Sequence, residues 1–256
     1  MVSAILCALF ALAPGAVPDR TIELNRHAIR LHFANPTTDP SAPLLVYATG
    51  DGGWKRKDLA AYKELVALGY PIVGFDARDY VTHLGDVSVT TPEALAADYA
   101  RIIAAAREAL RLSSTCPVIL VGISRGAGLS VVAAGDKTLR ASLDGVLAVA
   151  LTREEEYVKW YRRLLPHEPR PDQMEMVALY EYLPHLEGTP VAVVQSTRDH
   201  YLPADEARQL FGVDTPTRWL QAIEAANHSF GGARSQLYQA MRRAIDWIVG
   251  LRESGR

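Results

Sequence analysis

Val118-Ile119-Leu120-Val121-Gly122-Ile123-Ser124-Arg125-Gly126-Ala127-Gly128 is an apolar run that breaks into Gly-x-Ser-x-Gly and continues in small residues. Such a run suits a strand covered on both faces, and small residues after it suit a helix packed close to that strand. A serine on this kind of strand-to-helix turn is held in a strained backbone that lifts its hydroxyl above the sheet edge. Glycines on either side remove the Cβ atoms that would block the close approach. Gly122 and Gly126 occupy those places. A helix opening at Arg125 also aims N–H groups and the positive end of its dipole at negative charge growing beside Ser124. The stretch reads as a nucleophile elbow. The motif alone arises by chance, so the rest of the chain has to decide.

Outward from the elbow, short apolar runs recur at Leu44–Thr49, Pro71–Phe75, Gly145–Leu151, Pro190–Ser196 and Arg218–Ile223. Helical patterns separate them. Asp58–Leu68 ends at Gly69, Pro92 opens a helix that places Leu95, Tyr99, Ile102, Ile103, Ala106 and Leu110 on one face, and a last helix runs from about Ala233. The alternation predicts a mostly parallel, doubly wound α/β sheet. Thr21–Phe33 alternates apolar and polar residues around a break at Asn25-Arg26, which predicts an antiparallel hairpin at the sheet edge. Thr152–Leu186 breaks the alternation and is aromatic and charged, so it reads as a helical lid.

The chain has 256 residues, 49% of them apolar, which suits one α/β domain over residues 17–256. Its 27 basic and 29 acidic residues are interspersed, and no basic stripe exists to neutralise a phosphate backbone, which argues against a nucleic-acid partner. Val2–Ala13 is almost wholly apolar but too short to span a bilayer, and Ala13-Pro14-Gly15 supplies the small residues a signal peptidase reads. Residues 1–16 are therefore expected to be an export signal, and the mature protein periplasmic or secreted. It would then retain Cys116 alone, which excludes an internal disulfide.

A serine hydroxyl needs a base, and the base needs a third group to orient it. Asp199 follows the run Pro190–Ser196, and His228 follows Arg218–Ile223. The order Ser124, Asp199, His228, each at a strand's C-terminal end, is that of α/β-hydrolases. His200 is the rival base and Asp76 the rival acid. No clustered Cys/His spacing or H-E-x-x-H pair calls for a metal, and no cofactor is expected. Gly50-Asp51-Gly52-Gly53-Trp54 follows the run Leu44–Thr49, where such enzymes supply the second oxyanion N–H. The backbone amides of Asp51 and Arg125 are the candidate donors, and Asp51, Gly52, Gly53 and Trp54 the candidate substrate contacts.

Thr49-Gly50-Asp51-Gly52-Gly53-Trp54, Gly69-Tyr70-Pro71-Ile72-Val73-Gly74-Phe75-Asp76, Thr91-Pro92-Glu93 with Ala97-Asp98, and Gly122-Ile123-Ser124-Arg125-Gly126-Ala127 together resemble the bacterial virulence-factor family of α/β-hydrolases, the VirJ-like group. The resemblance implies a periplasmic serine hydrolase that releases lysine from lysyl-phosphatidylglycerol, with peripheral contact to the membrane through the lipid head group. Some members are associated with secretion of virulence proteins. Arg125 and Gly128 depart from the family, which carries an aromatic residue and an acid there. Asp51 and Glu154-Glu155-Glu156 are then the carboxylates either of which could meet a substrate ammonium group, Asp51 being the nearer by motif position, while the glutamate run reads first as a solvated helix start. The competing readings are a general carboxylesterase or dienelactone-hydrolase-like enzyme, and a non-catalytic secretion-accessory protein on the same fold.

Overall fold

The computed structural model describes residues 16–24, 27–37, 39, 41–84, 91–156 and 176–255. Among these, eight strands form one sheet in the order β1-β2-β4-β3-β5-β6-β9-β10. β1 (Ala16–Leu24) and β2 (His27–Ala34) are the edge hairpin, and β2 also runs antiparallel to β4 (Ile72–Phe75). β3 (Leu44–Ala48), β4, β5 (Val118–Ile123), β6 (Leu143–Val149), β9 (Val191–Ser196) and β10 (Arg218–Ile223) are parallel.

The continuous apolar runs follow from burial on both faces. Along β3, Leu44, Val46 and Ala48 enter one core layer while Leu45 and Tyr47 enter the other, and all five are fully buried. The first layer is closed by α3 (Pro92–Leu110) and α4 (Arg125–Gly135), the second by α1 (Arg56–Ala67) and α8 (Arg234–Glu253). Each fully buried leucine contributes about 1.5–3 kcal/mol relative to exposure, so the pattern fixes strand register as well as strand existence. α3 begins where its sequence says it should. Pro92 fills the first turn, Thr91 Oγ1 accepts from the Ala94 N–H at 3.1 Å, and Arg111 closes the helix in the left-handed region.

Several elements were not expected from the sequence. They include α2 (Ala77–Leu84), α5 (Lys137–Arg140) and α7 (Ala204–Phe211). In the expected lid, β7 (Glu154–Glu156) pairs antiparallel with β8 (Met176–Ala178), followed by α6 (Leu179–Tyr182) and a tight turn at Leu183–Leu186. The glutamate run is thus a strand rather than a solvated helix start. Glu155 lies opposite Val177, and its side chain is buried. Residues 157–175 of the lid, and 1–15 of the expected export signal, lie outside the described residues.

Candidate active site

Ser124 sits between β5 and α4 with φ 51° and ψ −115°, a conformation that costs a non-glycine residue of order 1–3 kcal/mol. Its N–H donates to Val149 O at 2.8 Å, and its carbonyl accepts from the Ala127 and Gly128 amides at 2.8 and 3.1 Å, so strand and helix together hold the turn. The flanking glycines are required by contact. A Cβ on Gly122 would stand 2.1 Å from Gly126 O, and one on Gly126 would stand 2.2 Å from Ala48 O.

The structure brings Ser124, His228 and Asp199 together. His228 Nε2 lies 2.8 Å from Ser124 Oγ, and His228 Nδ1 lies 2.6 Å from Asp199 Oδ2. With a carboxylate facing Nδ1, the neutral ring makes both bonds only by donating from Nδ1 and accepting the serine proton at Nε2. Asp199 is fully buried after β9. Its Oδ1 accepts from the Tyr201 amide at 2.9 Å, and its Oδ2 accepts from Gln195 Nε2 at 3.1 Å. His200 instead packs edge-on, its ring centroid 5.9 Å from that of His228. Asp76 accepts from the Trp54 and Asp79 amides at 2.8 and 3.0 Å, which makes it a loop anchor.

The Gly50–Trp54 loop lies beside the elbow because β3 and β5 pair in parallel, Ala48 opposite Gly122. Two carboxylates fold beneath it. Asp58 accepts from the Gly50 amide at 2.7 Å, and burial raises its pKa above the ordinary carboxylate value. A Cβ on Gly52 would stand 2.9 Å from Asp58 Oδ2, and one on Gly53, at φ +66°, would stand 2.6 Å from Asp76 Oδ2. Asp58 was missed in the sequence. Its signal is an acid placed in the first turn of an otherwise amphipathic helix.

Two expected substrate contacts are corrected by this geometry. Trp54 stacks on His32 at 3.9 Å and tilts against Tyr62 at 4.8 Å, so its ring joins the packing beside β2 rather than the cleft. Gly53 lies with it, over Asp76. Asp51 and Gly52 do line the cleft, but the Asp51 carboxylate is gripped by Arg125, Nε to Oδ1 and Nη2 to Oδ2. An ammonium group would therefore not find Asp51 unpaired. Arg125 also reaches across to β7, with Nη1 2.6 Å from Glu155 Oε1 and 3.0 Å from the Glu156 carbonyl. Burial drives the Glu155 carboxyl up to about 7, against the pull of Arg125 and with the help of the Asp51 and Glu156 charges.

These residues open into one cleft of about 1020 Å³ with Ser124 and His228 in its wall. Among the described residues no group of three His, Cys, Asp or Glu side chains is placed to hold a metal ion.

Residues 43–160 match the family model described as bacterial virulence protein (VirJ). This stretch is VirJ-like. It carries the Gly50–Trp54 loop, the elbow and β7, and ends before the loops of Asp199 and His228. No curated protein matches the chain. Among solved structures, the chain is similar to Est1E from Butyrivibrio proteoclasticus, at 13% identity and TM-score 0.65 over 91% of this chain and 99% of that one. An alpha-beta serine hydrolase homologue from Coxiella burnetii shares 16% identity at TM-score 0.60, over 89% and 97%. Naproxen esterase from Bacillus subtilis shares 11% identity at TM-score 0.61, over 90% and 92%. These likenesses show that the VirJ-like stretch belongs to an α/β-hydrolase fold with its antiparallel edge.

Proposed function

We propose that the protein is a serine hydrolase that cleaves a carboxylic ester through an acyl-enzyme. The observation that carries this reading is the relay from Asp199 through His228 to Ser124, with both hydrogen bonds at or below 2.8 Å at the wall of an open cleft. His228 Nε2 takes the Ser124 proton as Oγ bonds to the ester carbon, and Asp199 holds the ring and balances the imidazolium. The oxyanion is received by the Asp51 and Arg125 amides. Return of the proton to the alcohol oxygen breaks the C–O bond, and water repeats the cycle on the acyl-serine to release the acid.

In the finer reading the substrate is an aminoacyl ester of phosphatidylglycerol, lysyl-phosphatidylglycerol first, and the enzyme works outside the cytoplasm. The VirJ-like stretch supports it, as does the local charge: Asp51 and Glu155 place two carboxylates on one guanidinium, with Glu154 and Glu156 on the same strand. Ammonium recognition then belongs to the β7 side of the cleft rather than to Asp51 alone. The alternative, a general carboxylesterase, is favoured by the Arg125 grip on Asp51. A binding-only role would leave the buried Asp199 and the strained Ser124 without a purpose.

Fluorophosphonate labelling of the purified protein should modify Ser124 and fail in Ser124→Ala. Incubation with lysyl-phosphatidylglycerol should release lysine, and the same assay with a neutral short-chain ester separates the two substrate readings. Absence of labelling would remove the hydrolase reading altogether.

A further inference from the structure

The Gly50–Trp54 loop carries one of the two candidate oxyanion donors, yet three of its first four residues are glycines, which lose the most backbone freedom when held in one place. Its ends are anchored. The Gly50 amide donates to Asp58 at 2.7 Å, the Trp54 amide donates to Asp76 at 2.8 Å, and the Gly53 amide donates to the Gly50 carbonyl at 3.0 Å. These bonds close the turn from beneath, and none of them reaches the elbow, where the other candidate donor sits. The group that does reach it is the Asp51 carboxylate, gripped by the Arg125 guanidinium through Nε and Nη2.

Arg125 therefore serves both donors. Its own N–H follows Ser124 directly at the start of α4, and its side chain holds the residue whose N–H is the other donor. Surface ion pairs are commonly weak, because two long side chains must be immobilised to form them. Here the guanidinium is fixed independently of Asp51. Its Nη1 lies 2.6 Å from Glu155 Oε1 and 3.0 Å from the Glu156 carbonyl, both on β7, and only 19% of the side chain is exposed. The planar fork then meets a short carboxylate with two prongs, a geometry that an ammonium group cannot copy. Helix formation gives no reason for this residue, since a cation in the first turn of α4 faces the positive end of the dipole.

We infer that the Arg125 side chain is a positioning group: by holding the Asp51 carboxylate it fixes the separation of the Asp51 and Arg125 amides, and with it the shape of the oxyanion site. The reaction it serves is that of the serine-hydrolase reading, whereas the fork itself stands whatever the substrate. The Asp51 carboxylate then acts on catalysis through its own backbone rather than through contact with a substrate.

The test compares wild type, Arg125→Met, Asp51→Ala and the double variant on p-nitrophenyl butyrate, a neutral ester that makes no use of the Asp51 charge. Each single variant should lose roughly ten- to thirtyfold in kcat with KM changed less than about twofold, since a displaced donor is felt in the transition state rather than in ground-state binding. The double variant should be no worse than the poorer single one. The two substitutions remove opposite charges, so an effect carried by the field at His228 or Ser124 would move kcat in opposite directions and overturn the proposal. So would additive losses, an unchanged kcat in Asp51→Ala, a rise confined to KM, or full recovery in Arg125→Lys, which keeps the charge and loses the fork. Asp51→Ala changes an exposed side chain and leaves Arg125 paired with Glu155, so it carries the test if Arg125→Met fails to fold. Amide hydrogen exchange gives a readout independent of turnover: the Gly50, Gly53 and Trp54 amides should exchange several-fold faster in each single variant, with those of β9 unchanged. A wild type that neither turns over the ester nor takes the fluorophosphonate label would remove the hydrolase reading separately. The exchange rates then decide: faster exchange supports the fork as the tie that holds the loop, and equal rates overturn it.

Discussion

Replacing Glu155 by glutamine should change how stability depends on pH. Glu155 is buried on β7 against Arg125 from α4, with Asp51 from the Gly50–Trp54 loop and Glu156 from its own strand as the other nearby charges. Its carboxyl ionises at about 7 in place and near 4.5 in an unfolded chain. The folded protein therefore holds this proton more tightly. The linked stability is full below about 4.5 and is lost as pH rises through about 7, by about 3 kcal/mol in all. Glutamine mimics the protonated side chain and carries no such dependence. Urea unfolding of both proteins at a series of pH values should thus show Glu155→Gln gaining on the wild type by up to about 3 kcal/mol between pH about 5 and about 8. A difference that stays flat would mean that Arg125 fully compensates the buried charge. A difference of opposite sign would mean that the ion pair outweighs desolvation, and either result refutes the reasoning.

Ser124→Ala and His228→Ala should each lower ester turnover on the order of a thousandfold or more, and the double variant should be little worse than either, because both act in one proton transfer. Additive losses in steady-state kinetics would break that unit apart. Asp199→Asn should be of similar severity, since it favours the wrong imidazole tautomer. Gly126→Ala drives a Cβ to 2.2 Å from a backbone carbonyl and should cost about 3 kcal/mol or more in denaturant unfolding, while a wild-type midpoint would show that the elbow can open. Trp54→Ala should lower stability by about 2–4 kcal/mol and change KM less than about twofold. A tenfold rise in KM at unchanged stability would instead put the ring against substrate.

The parallel sheet was legible because its strands are apolar on both sides, as strands covered twice are. The candidate site was legible at Ser124, Asp199 and His228 for a related reason, each residue lying in the turn or loop that follows such a run. What was not legible depends on partners far along the chain. Glu154-Glu155-Glu156 looks like a solvated charge run until Val177 and Arg125 are set against it. Trp54 looks like part of a binding loop, and it is His32, on the second strand of the antiparallel hairpin twenty-two residues earlier, that turns its ring away. Asp51 was read by its charge, and the charge is already taken by a residue seventy-four positions later. α2 and α7 span eight residues each, too short for their periodicity to stand out against loop sequence.

His228 rides on a loop that is closed on itself. Asn227 Oδ1 accepts from the Ser229 and Gly231 amides at 3.0 and 3.1 Å, the Ala226 amide donates to Gly231 O at 3.0 Å, and Phe230, at φ 53°, buries its ring in the core beside α8. The candidate base is therefore anchored much as a side chain on a regular strand would be. Its ordering entropy is lost once, when the chain folds, and not again at each encounter with a substrate. The amides of Ser229 and Gly231, both held by Asn227 Oδ1, should therefore exchange with solvent more slowly than loop amides that lack such a partner, with or without a molecule in the cleft.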